Sequence, residues 1–346
     1  MTKPSSKPFG RVTAKDVAER AGVSRSLVSM YLSGNKNAWL SESTKQRIDE
    51  VIKTLHYRPN TLAQALRRGK TNTIGLLMGG IADPVGGMFA EAVMDEVEKR
   101  GYRLFIAVTR FDRKRERDAL ANMLNYQIDG IIYTLSADSD DDFFRSLENS
   151  SCPILLTENH PEINLDSVCF DLRPGMRDAI RHLEAQGCRR VLCLTGYFDR
   201  TQEQLASLAG EFACKLETYR WNLATNTHEE FMERVLLDRP DGILVQGNQG
   251  LDKTAWFPPD YQPRIVEFNM LPRPAPALDG VIHLPFRRWI GKMVDVLVGQ
   301  IERPSARRVR VEIPTEFVPQ NRVSELLRSL PEKNSFSTYA TSNGGR

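Results

Sequence analysis

The sequence predicts an all-α helix-turn-helix head followed by an α/β core of two lobes built on parallel sheets. Capped helical segments follow one another over residues 12–58, whereas strands and helices alternate over residues 72–323. Charge divides in the same way, since residues 1–70 carry +9 and the other 276 residues carry −6. Strand and helix in alternation are typical of a parallel sheet covered by helices on both faces.

The head is predicted to begin with two short helices joined by a tight turn. Thr13 and Asp16 form a capping pair for the first helix, and Gly22 ends it. Ser24 then caps a second helix over residues 25–32. Small residues at the junction let the two helices cross steeply, as in a helix-turn-helix.

A third helix is expected after Ser41, and it completes a small bundle whose exposed side chains are mostly basic. Such a basic face predicts double-stranded DNA as the partner. Binding of an acidic protein is the alternative. It leaves unexplained why a short polar helix opens with Arg25 and Ser26 directly after its Ser24 cap.

The runs DVAERAGVSRSLVSMYLSG, LSESTKQRI and LHYRPNTLAQALRRGKTNTIGLL together resemble the amino-terminal signature of the LacI/GalR family of bacterial repressors. The resemblance implies that the second helix enters the major groove, with Arg25, Ser26 and Met30 over base edges. Ser24 and Ser29 would then contact phosphates. Family members often carry arginine at the position of Met30, so base reading is expected to fall on Arg25, whose guanidinium suits guanine O6 and N7. The residues predicted to contact DNA are Thr13, Ser24, Arg25, Ser26, Ser29, Met30, Ser41, Thr44, Asn60, Leu62, Ala63 and Leu66.

Residues 59–71 are predicted to form a hinge helix or linker. Leu62 and Leu66 share one face beside two arginines, yet so short a helix is marginal alone in water. Apolar wedges flanked by basic groups kink DNA from the minor groove. The resemblance implies that hinge helices from two subunits pair there, with Leu66 as the wedge, whereas a plain linker is the alternative. Residues 1–11 and 324–346 are predicted to be a disordered arm and a disordered tail.

The core is predicted to divide into a first lobe, residues 72–157 and 286–313, and a second lobe, residues 158–285 and 314–323. The second lobe would start with a strand near Asp166 and would contain a helix from Gln202 to Leu216. Two such lobes joined by crossing strands resemble the periplasmic-binding-protein-like clamp with which the family senses small molecules. Ligands bind beyond the carboxyl ends of parallel strands.

The resemblance weakens after Thr134, and it places Ser207 and Asn269 where the family holds effectors with an arginine and an aspartate. The wall between Gln246 and Arg264 is only 19 residues long and holds three prolines, which oppose a helix. Its aromatic residues either offer surface to a larger, less polar ligand or fill space left by a lost helix; they are Trp256, Phe257 and Tyr261. The candidate effector residues are Asp83, Arg110, Asp171, Ser207, Gln246, Asn248 and Asn269.

Three functions follow from this pattern. The first is a repressor with an unusual small-molecule effector, which could be related to carbohydrates. The second is a regulator whose core is only a dimerisation scaffold, and the third is an enzyme on the clamp fold. No catalytic residue, cofactor or metal site is predicted, because no Ser-His-Asp spacing, paired carboxylates or phosphate loop is present. The spacing of His182, Cys188 and Cys193 fits no common zinc pattern.

Five cysteines in apolar surroundings indicate reduced core thiols, and without an export signal or an apolar span the protein is expected in the cytoplasm. One helix-turn-helix covers only a few base pairs, so a homodimer on a pseudo-palindromic operator is predicted. The pattern leaves open the operator sequence, the effector, repression against activation, and dimer against tetramer.

Overall fold

The computed structural model describes residues 12–32, 40–57, 69–82, 84–134, 141–158, 160, 162–195, 201–220, 228–246, 257–269, 278–305 and 307–329. The chain divides into two compact units, Met1–Thr71 and Asn72–Arg346. The first unit corresponds to the predicted head and hinge, and the second contains both sheets of the core. The predicted arm, residues 1–11, lies outside the described residues, as do residue 58 of the predicted head and residues 59–68 of the predicted hinge.

The described part of the first unit contains α1 (Ala14–Ala21), α2 (Arg25–Leu32) and α3 (Glu42–Thr54). Gly22 ends α1 with φ 65°, the left-handed conformation that glycine adopts without steric cost. The core of this unit consists of Val17, Ala18, Val28 and Tyr57, with a surrounding ring of partly buried apolar residues. The short helices are therefore stabilised by packing their apolar faces together rather than by length.

Six strands form the first sheet of the core, in the order β11-β5-β4-β3-β1-β2, and every pair is parallel. They are β1 (Thr73–Met78), β2 (Arg103–Val108), β3 (Gly130–Tyr133), β4 (Ile154–Leu156), β5 (Asp166–Asp171) and β11 (Arg310–Pro314). The helices of this lobe are α4 (Pro84–Lys99), α5 (Arg113–Asn125), α6 (Asp141–Leu147) and α10 (Phe286–Glu302). Helix α10 packs on β3, β4 and β5, so a segment late in the chain completes the first lobe.

The second sheet has the order β12-β10-β9-β8-β6-β7, with β12 antiparallel to β10 and the other pairs parallel. Its strands are β6 (Arg190–Thr195), β7 (Lys215–Arg220), β8 (Gly242–Gln246), β9 (Arg264–Asn269), β10 (Gly280–His283) and β12 (Glu316–Pro319). Its described helices are α7 (Arg173–Ala185), α8 (Thr201–Ser207), α9 (His228–Asp238) and α11 (Gln320–Ser329). The chain crosses between the sheets after β5, after β10 and after β11.

The predicted start of the second lobe near Asp166 is wrong. Strand β5 pairs with β4 on one side and with β11 on the other, so it belongs to the first sheet. The second lobe begins only with α7, after Asp171. Alternation of strand and helix reveals the presence of a strand but not the sheet that it joins, because the pairing depends on residues more than a hundred positions away.

Two further boundaries differ from the prediction. The helix expected over residues 202–216 ends at Ser207, and Gly210 turns the chain with φ 91° before strand β7 begins. The tail expected from residue 324 starts too early, since α11 continues to Ser329. The apolar side chain of Val323 is buried in the second lobe, and this packing extends the helix into the polar segment.

Candidate nucleic-acid interface and ligand cleft

Each of the three helices described in the first unit begins at a side-chain hydroxyl. Thr13 accepts a hydrogen bond from the backbone N–H of Asp16, Ser24 accepts one from Leu27, and Ser41 accepts one from Thr44. These hydroxyls occupy the capping positions at which a helix has free N–H groups and a partial positive charge. Such helix ends are suited to phosphate oxygens.

Helix α2 has one buried side and one exposed side. Val28 is fully buried in the bundle, whereas Arg25 and Ser26 are exposed and Met30 is 36% exposed. Ser29 is half-buried between the two sides. The base-reading positions predicted for α2 therefore share its open side, and Arg25 stands at its first residue.

Tyr31 is a feature of the head that sequence reasoning missed. Its hydroxyl donates a hydrogen bond of 2.9 Å to Oδ2 of Asp49 in α3. Burial and this carboxylate raise the pKa of Tyr31 above its usual value. The bond fixes the angle between α2 and α3, and a tyrosine eighteen residues from an aspartate gives no local sequence signal of it.

The remaining positions predicted on DNA divide into two groups. Thr44 is half-buried in the first turn of α3, where its Oγ1 lies 2.8 Å from Oγ of Ser41. The four hinge positions lie outside the described residues; they are Asn60, Leu62, Ala63 and Leu66.

A cavity of about 210 Å³ lies between the two lobes of the core. Its wall combines the carboxyl end of β4, part of β5 and β11, the start of α7, and one face of α8. The lining residues are Thr157, Glu158, Cys169, Phe170, Leu172, Arg173, Glu203, Gln204, Ser207 and Glu312. This is where a two-lobed fold of parallel strands is expected to bind a ligand.

Arg173 is the cation of this wall, and sequence reasoning missed it. Its Nε donates to Oδ1 of Asp171 at 2.6 Å, and its Nη2 donates to Oε2 of Glu312 at 2.7 Å. The hydrogen bond to Asp171 raises the pKa of Arg173 most, burial lowers it by less, and the charges of Asp171 and Glu312 raise it further. The predicted effector residue Asp171 is not among the lining residues, and its carboxylate is ion-paired with Arg173.

Two hydrogen bonds of the Gln204 side chain connect α8 to the carboxyl end of β5. Its Oε1 accepts from the N–H of Leu172 at 2.7 Å, and its Nε2 donates to the carbonyl of Phe170 at 3.3 Å. The predicted effector residue Ser207 lies one helical turn away and donates its hydroxyl proton to the carbonyl of Gln204 at 2.6 Å. Ser207 lines the cavity, but this local hydrogen bond occupies its proton.

Of the other predicted effector residues, Arg110 alone has a described side chain. Arg110 is exposed beyond β2 with φ 56°, and it is not among the lining residues. Gln246 and Asn269 end strands β8 and β9, and their side chains lie outside what the structure describes, as do Asp83 and Asn248.

The aromatic residues of the shortened wall pack inward. Phe257 and Tyr261 are buried in the core of the second lobe, where their rings meet edge to face at 5.6 Å. The hydroxyl of Tyr261 donates to the carbonyl of Pro240 at 2.8 Å. These two rings therefore fill space rather than offer surface to a ligand, while Trp256 lies outside the described residues.

All five cysteines are free thiols, and four of them are buried. Burial raises the pKa of the Cys193 thiol to about 12, which keeps it protonated near neutrality. The ring of His182 lies against that of Phe317, with 5.0 Å between the centroids. No described helix is both long and apolar enough to span a membrane.

Two protein-family models match the chain. Residues 13–60 match the model for bacterial regulatory proteins of the lacI family, and residues 71–203 match the model for periplasmic binding proteins and the sugar binding domain of the LacI family. The matched segments follow the order of the two compact units and together cover more than half of the chain.

Individual relatives agree with this assignment. The HTH-type transcriptional regulator PtxS of Pseudomonas putida is 35% identical over 199 residues, or 56% of this chain and 57% of PtxS. The chain thus spans less than two thirds of that relative's length. The HTH-type transcriptional repressor PurR of Aliivibrio fischeri is 25% identical over 360 residues, which cover 91% of this chain and 99% of PurR. These relatives are regulators of transcription rather than enzymes.

The fold itself is that of a solved repressor. The lac repressor dimer bound to operator and the anti-inducer ONPF superposes with a TM-score of 0.73 at 21% identity, over 89% of this chain and 98% of that chain. The three described helices of the head, a core of two mostly parallel sheets and the two family matches all agree, and the chain belongs to the lacI family of bacterial regulatory proteins.

Proposed function

We propose that this protein is a sequence-specific DNA-binding regulator of transcription that represses its target genes from a pseudo-palindromic operator. The observation that carries the proposal is the open side of α2, where Arg25 and Ser26 are exposed at the start of the helix while Val28 anchors it in the bundle. A helix held in this way can enter the major groove with its first residues against base edges. The protein would act in the bacterial cytoplasm, where its DNA lies.

The three capped helix ends support the phosphate part of this proposal. Each offers backbone N–H groups beside a hydroxyl, and residues 1–70 carry a net charge of +9. That net charge already counts the carboxylates of two exposed ion pairs, from Lys15 to Glu19 and from Lys45 to Glu42. Such exposed pairs are worth little and would open readily toward phosphate.

The proposed working form is a homodimer, and the edge of the first sheet supports it. Strand β2 is an edge strand of that sheet. Its Phe105 side chain is 41% exposed, and Ile106 and Val108 on the same strand are also exposed. An apolar edge strand is a liability for an isolated chain, because it offers unpaired backbone groups and apolar surface. A second copy of this chain is the occupant that fits, because two heads are needed to read two operator half-sites.

The cleft is the proposed site of a small-molecule effector. Shape, position between two lobes and a mixed polar and apolar wall support that role. A core without effector is the second candidate, and one observation favours it: the wall groups Arg173 and Ser207 are already hydrogen-bonded within the protein.

The test of the proposal is to sequence the genomic DNA fragments that the purified full chain retains. A common site with dyad symmetry is expected, and its affinity should fall by orders of magnitude between about 50 and 200 mM salt. Retained fragments without a shared dyad, or binding that is insensitive to salt, would contradict the proposal. Reporter expression from the recovered site, with and without the protein, then distinguishes repression from activation.

A further inference from the structure

The open side of α2 carries apolar side chains as well as polar ones. Met30 is 36% exposed on it, and Leu27, three residues earlier, is half-buried. Residues three positions apart are neighbours on the surface of a helix, so these two side chains form one apolar surface. This Leu27–Met30 surface begins two residues after Arg25, the exposed first residue of the helix.

The rest of the head holds the Leu27–Met30 surface in place. Val28 lies two residues from Met30, on nearly the opposite side of the helix, and is fully buried in the bundle. The N–H of Leu27 donates to Oγ of Ser24 at 3.2 Å, near the start of α2. Near its end, the hydroxyl of Tyr31 donates to Asp49 of α3. The surface is therefore presented by a helix that is fixed at both ends.

Such a surface has a limited choice of contacts in the major groove of DNA. A leucine side chain has no hydrogen-bonding group, and the thioether of methionine is only a weak acceptor, so neither can donate to guanine O6 or N7. Covering a polar base edge with either side chain would deprive that edge of its hydrogen bonds to water, which is unfavourable. The C5-methyl group of thymine is the apolar group that the major groove displays. Contact with that methyl group removes apolar surface of both partners from water.

We propose that the Leu27–Met30 surface reads the C5-methyl group of one thymine in each operator half-site. This inference rests on the proposed entry of α2 into the major groove. Arg25 reads a different base pair through hydrogen bonds, so one short helix combines polar and apolar recognition. Burial of a single methyl group corresponds to roughly a fourfold gain in affinity for each half-site.

The experiment removes only the methyl group from the DNA. Each thymine of the operator recovered by the genomic selection is replaced in turn by deoxyuridine, at the symmetric positions of both half-sites. Binding of the full chain is then measured at constant salt. At one position the replacement should weaken binding by about tenfold or more, because both half-sites lose a methyl contact. If binding is equally tight after every replacement, the inference is overturned.

Three variants assign the effect to α2. Met30→Ala removes most of the apolar surface and should reduce the loss caused by deoxyuridine to about twofold or less, and Leu27→Ala should also reduce it. Met94→Ala is the matched control, because Met94 is 38% exposed but lies in α4 of the core unit. This control should show the full loss of the wild-type chain. If either α2 variant remains as sensitive to deoxyuridine as the wild-type chain, the methyl group is read by another part of the protein.

Met30→Arg tests the same contact through a change of preference. A guanidinium group donates to guanine O6 and N7, so a binding-site selection with this variant should replace the A·T pair at the sensitive position by a G·C pair. A selected sequence identical to that of the wild-type chain contradicts the inference.

The wild-type chain on unmodified DNA separates this inference from the proposed function. A chain that selects a site with dyad symmetry but binds thymine and deoxyuridine equally at every position contradicts the methyl contact alone. A chain that retains no DNA contradicts the proposed regulator itself.

Discussion

The hydroxyl of Tyr31 in α2 and the carboxylate of Asp49 in α3 are joined by a hydrogen bond of 2.9 Å. This bond connects the proposed recognition helix to the helix that supports it. We expect Tyr31→Phe to destabilise the head by about 1.5 kcal/mol or less, because the bond is partly open to water and the ring is kept. Faster hydrogen exchange of the α2 amides and weaker operator binding would report the change.

Tyr126→Phe is the matched control. Tyr126 is 61% exposed in the core unit, so loss of its hydroxyl should leave the hydrogen exchange of the α2 amides unchanged. If Tyr31→Phe behaves like this control, the link between α2 and α3 does not help to hold the recognition helix.

Arg25→Ala should relax specificity at one base pair of each operator half-site. Loss of a bidentate contact to guanine costs about 1 to 3 kcal/mol per half-site. Arg25→Lys is informative beside it, because lysine keeps the charge but lacks the planar fork. We expect the lysine variant to keep the salt dependence and lose the base preference in a binding-site selection. A selected sequence unchanged in both variants would remove Arg25 from base reading.

Leu66→Ala tests the hinge, which lies outside the described residues and rests on the sequence alone. An apolar wedge reads no base edge, so its loss should reduce DNA bending and affinity together while the outer half-site sequence stays the same. Gel shifts with circularly permuted fragments measure the bend. An unaltered bend in Leu66→Ala would show that the segment acts as a plain linker.

Local signals predicted the helices of the head closely. The predicted span of α2 agrees with the structure, and the caps at Thr13, Ser24 and Ser41 form as expected, because capping depends on residues three positions apart. Long-range relationships were not accessible in the same way. The pairing of β5 with β11 joins segments separated by about 140 residues, and no periodicity encodes it.

The cleft shows the same limit at the level of single side chains. The family resemblance placed Ser207 where other members have an arginine. The arginine of this wall is instead Arg173, on a different helix. Arg173 comes to the cavity because the chain crosses between the sheets directly before α7. Its partner Glu312 arrives from a strand near the other end of the chain, so the cluster exists only in the folded core.

The proposed dimer can be tested at the sheet edge. Ile106→Asp introduces a charge on β2, and burial of that unpaired carboxylate in an interface would be strongly unfavourable. We expect the variant to sediment as a monomer and to lose high-affinity operator binding. Leu237→Asp makes a comparable change at a residue that is 79% exposed on α9, and it should remain a dimer. A dimer with unchanged dissociation constant in Ile106→Asp would place the interface elsewhere.

The junction between the lobes is tightly packed at Gly175 in α7. A Cβ atom there would lie 2.5 Å from Cγ2 of Ile282 and 2.7 Å from Oγ1 of Thr315, both well inside normal contact distance. Gly175→Ala should therefore destabilise the core by about 1 to 3 kcal/mol, the usual cost of overpacking. Because α7 follows one crossing segment and contacts residues beside two others, the strain should also alter closure of the cleft.

Gly291→Ala, in the same unit, is expected to stabilise the core. A Cβ atom at Gly291, inside α10, meets no other atom within 4 Å. Alanine lowers the conformational entropy of the unfolded chain, so this variant should gain roughly 0.5 to 1 kcal/mol. Thermal unfolding of the full chain should then give a lower Tm for Gly175→Ala and a higher Tm for Gly291→Ala. If Gly175→Ala leaves Tm unchanged or raises it, the close approach of α7 to Ile282 and Thr315 does not limit the stability of the core.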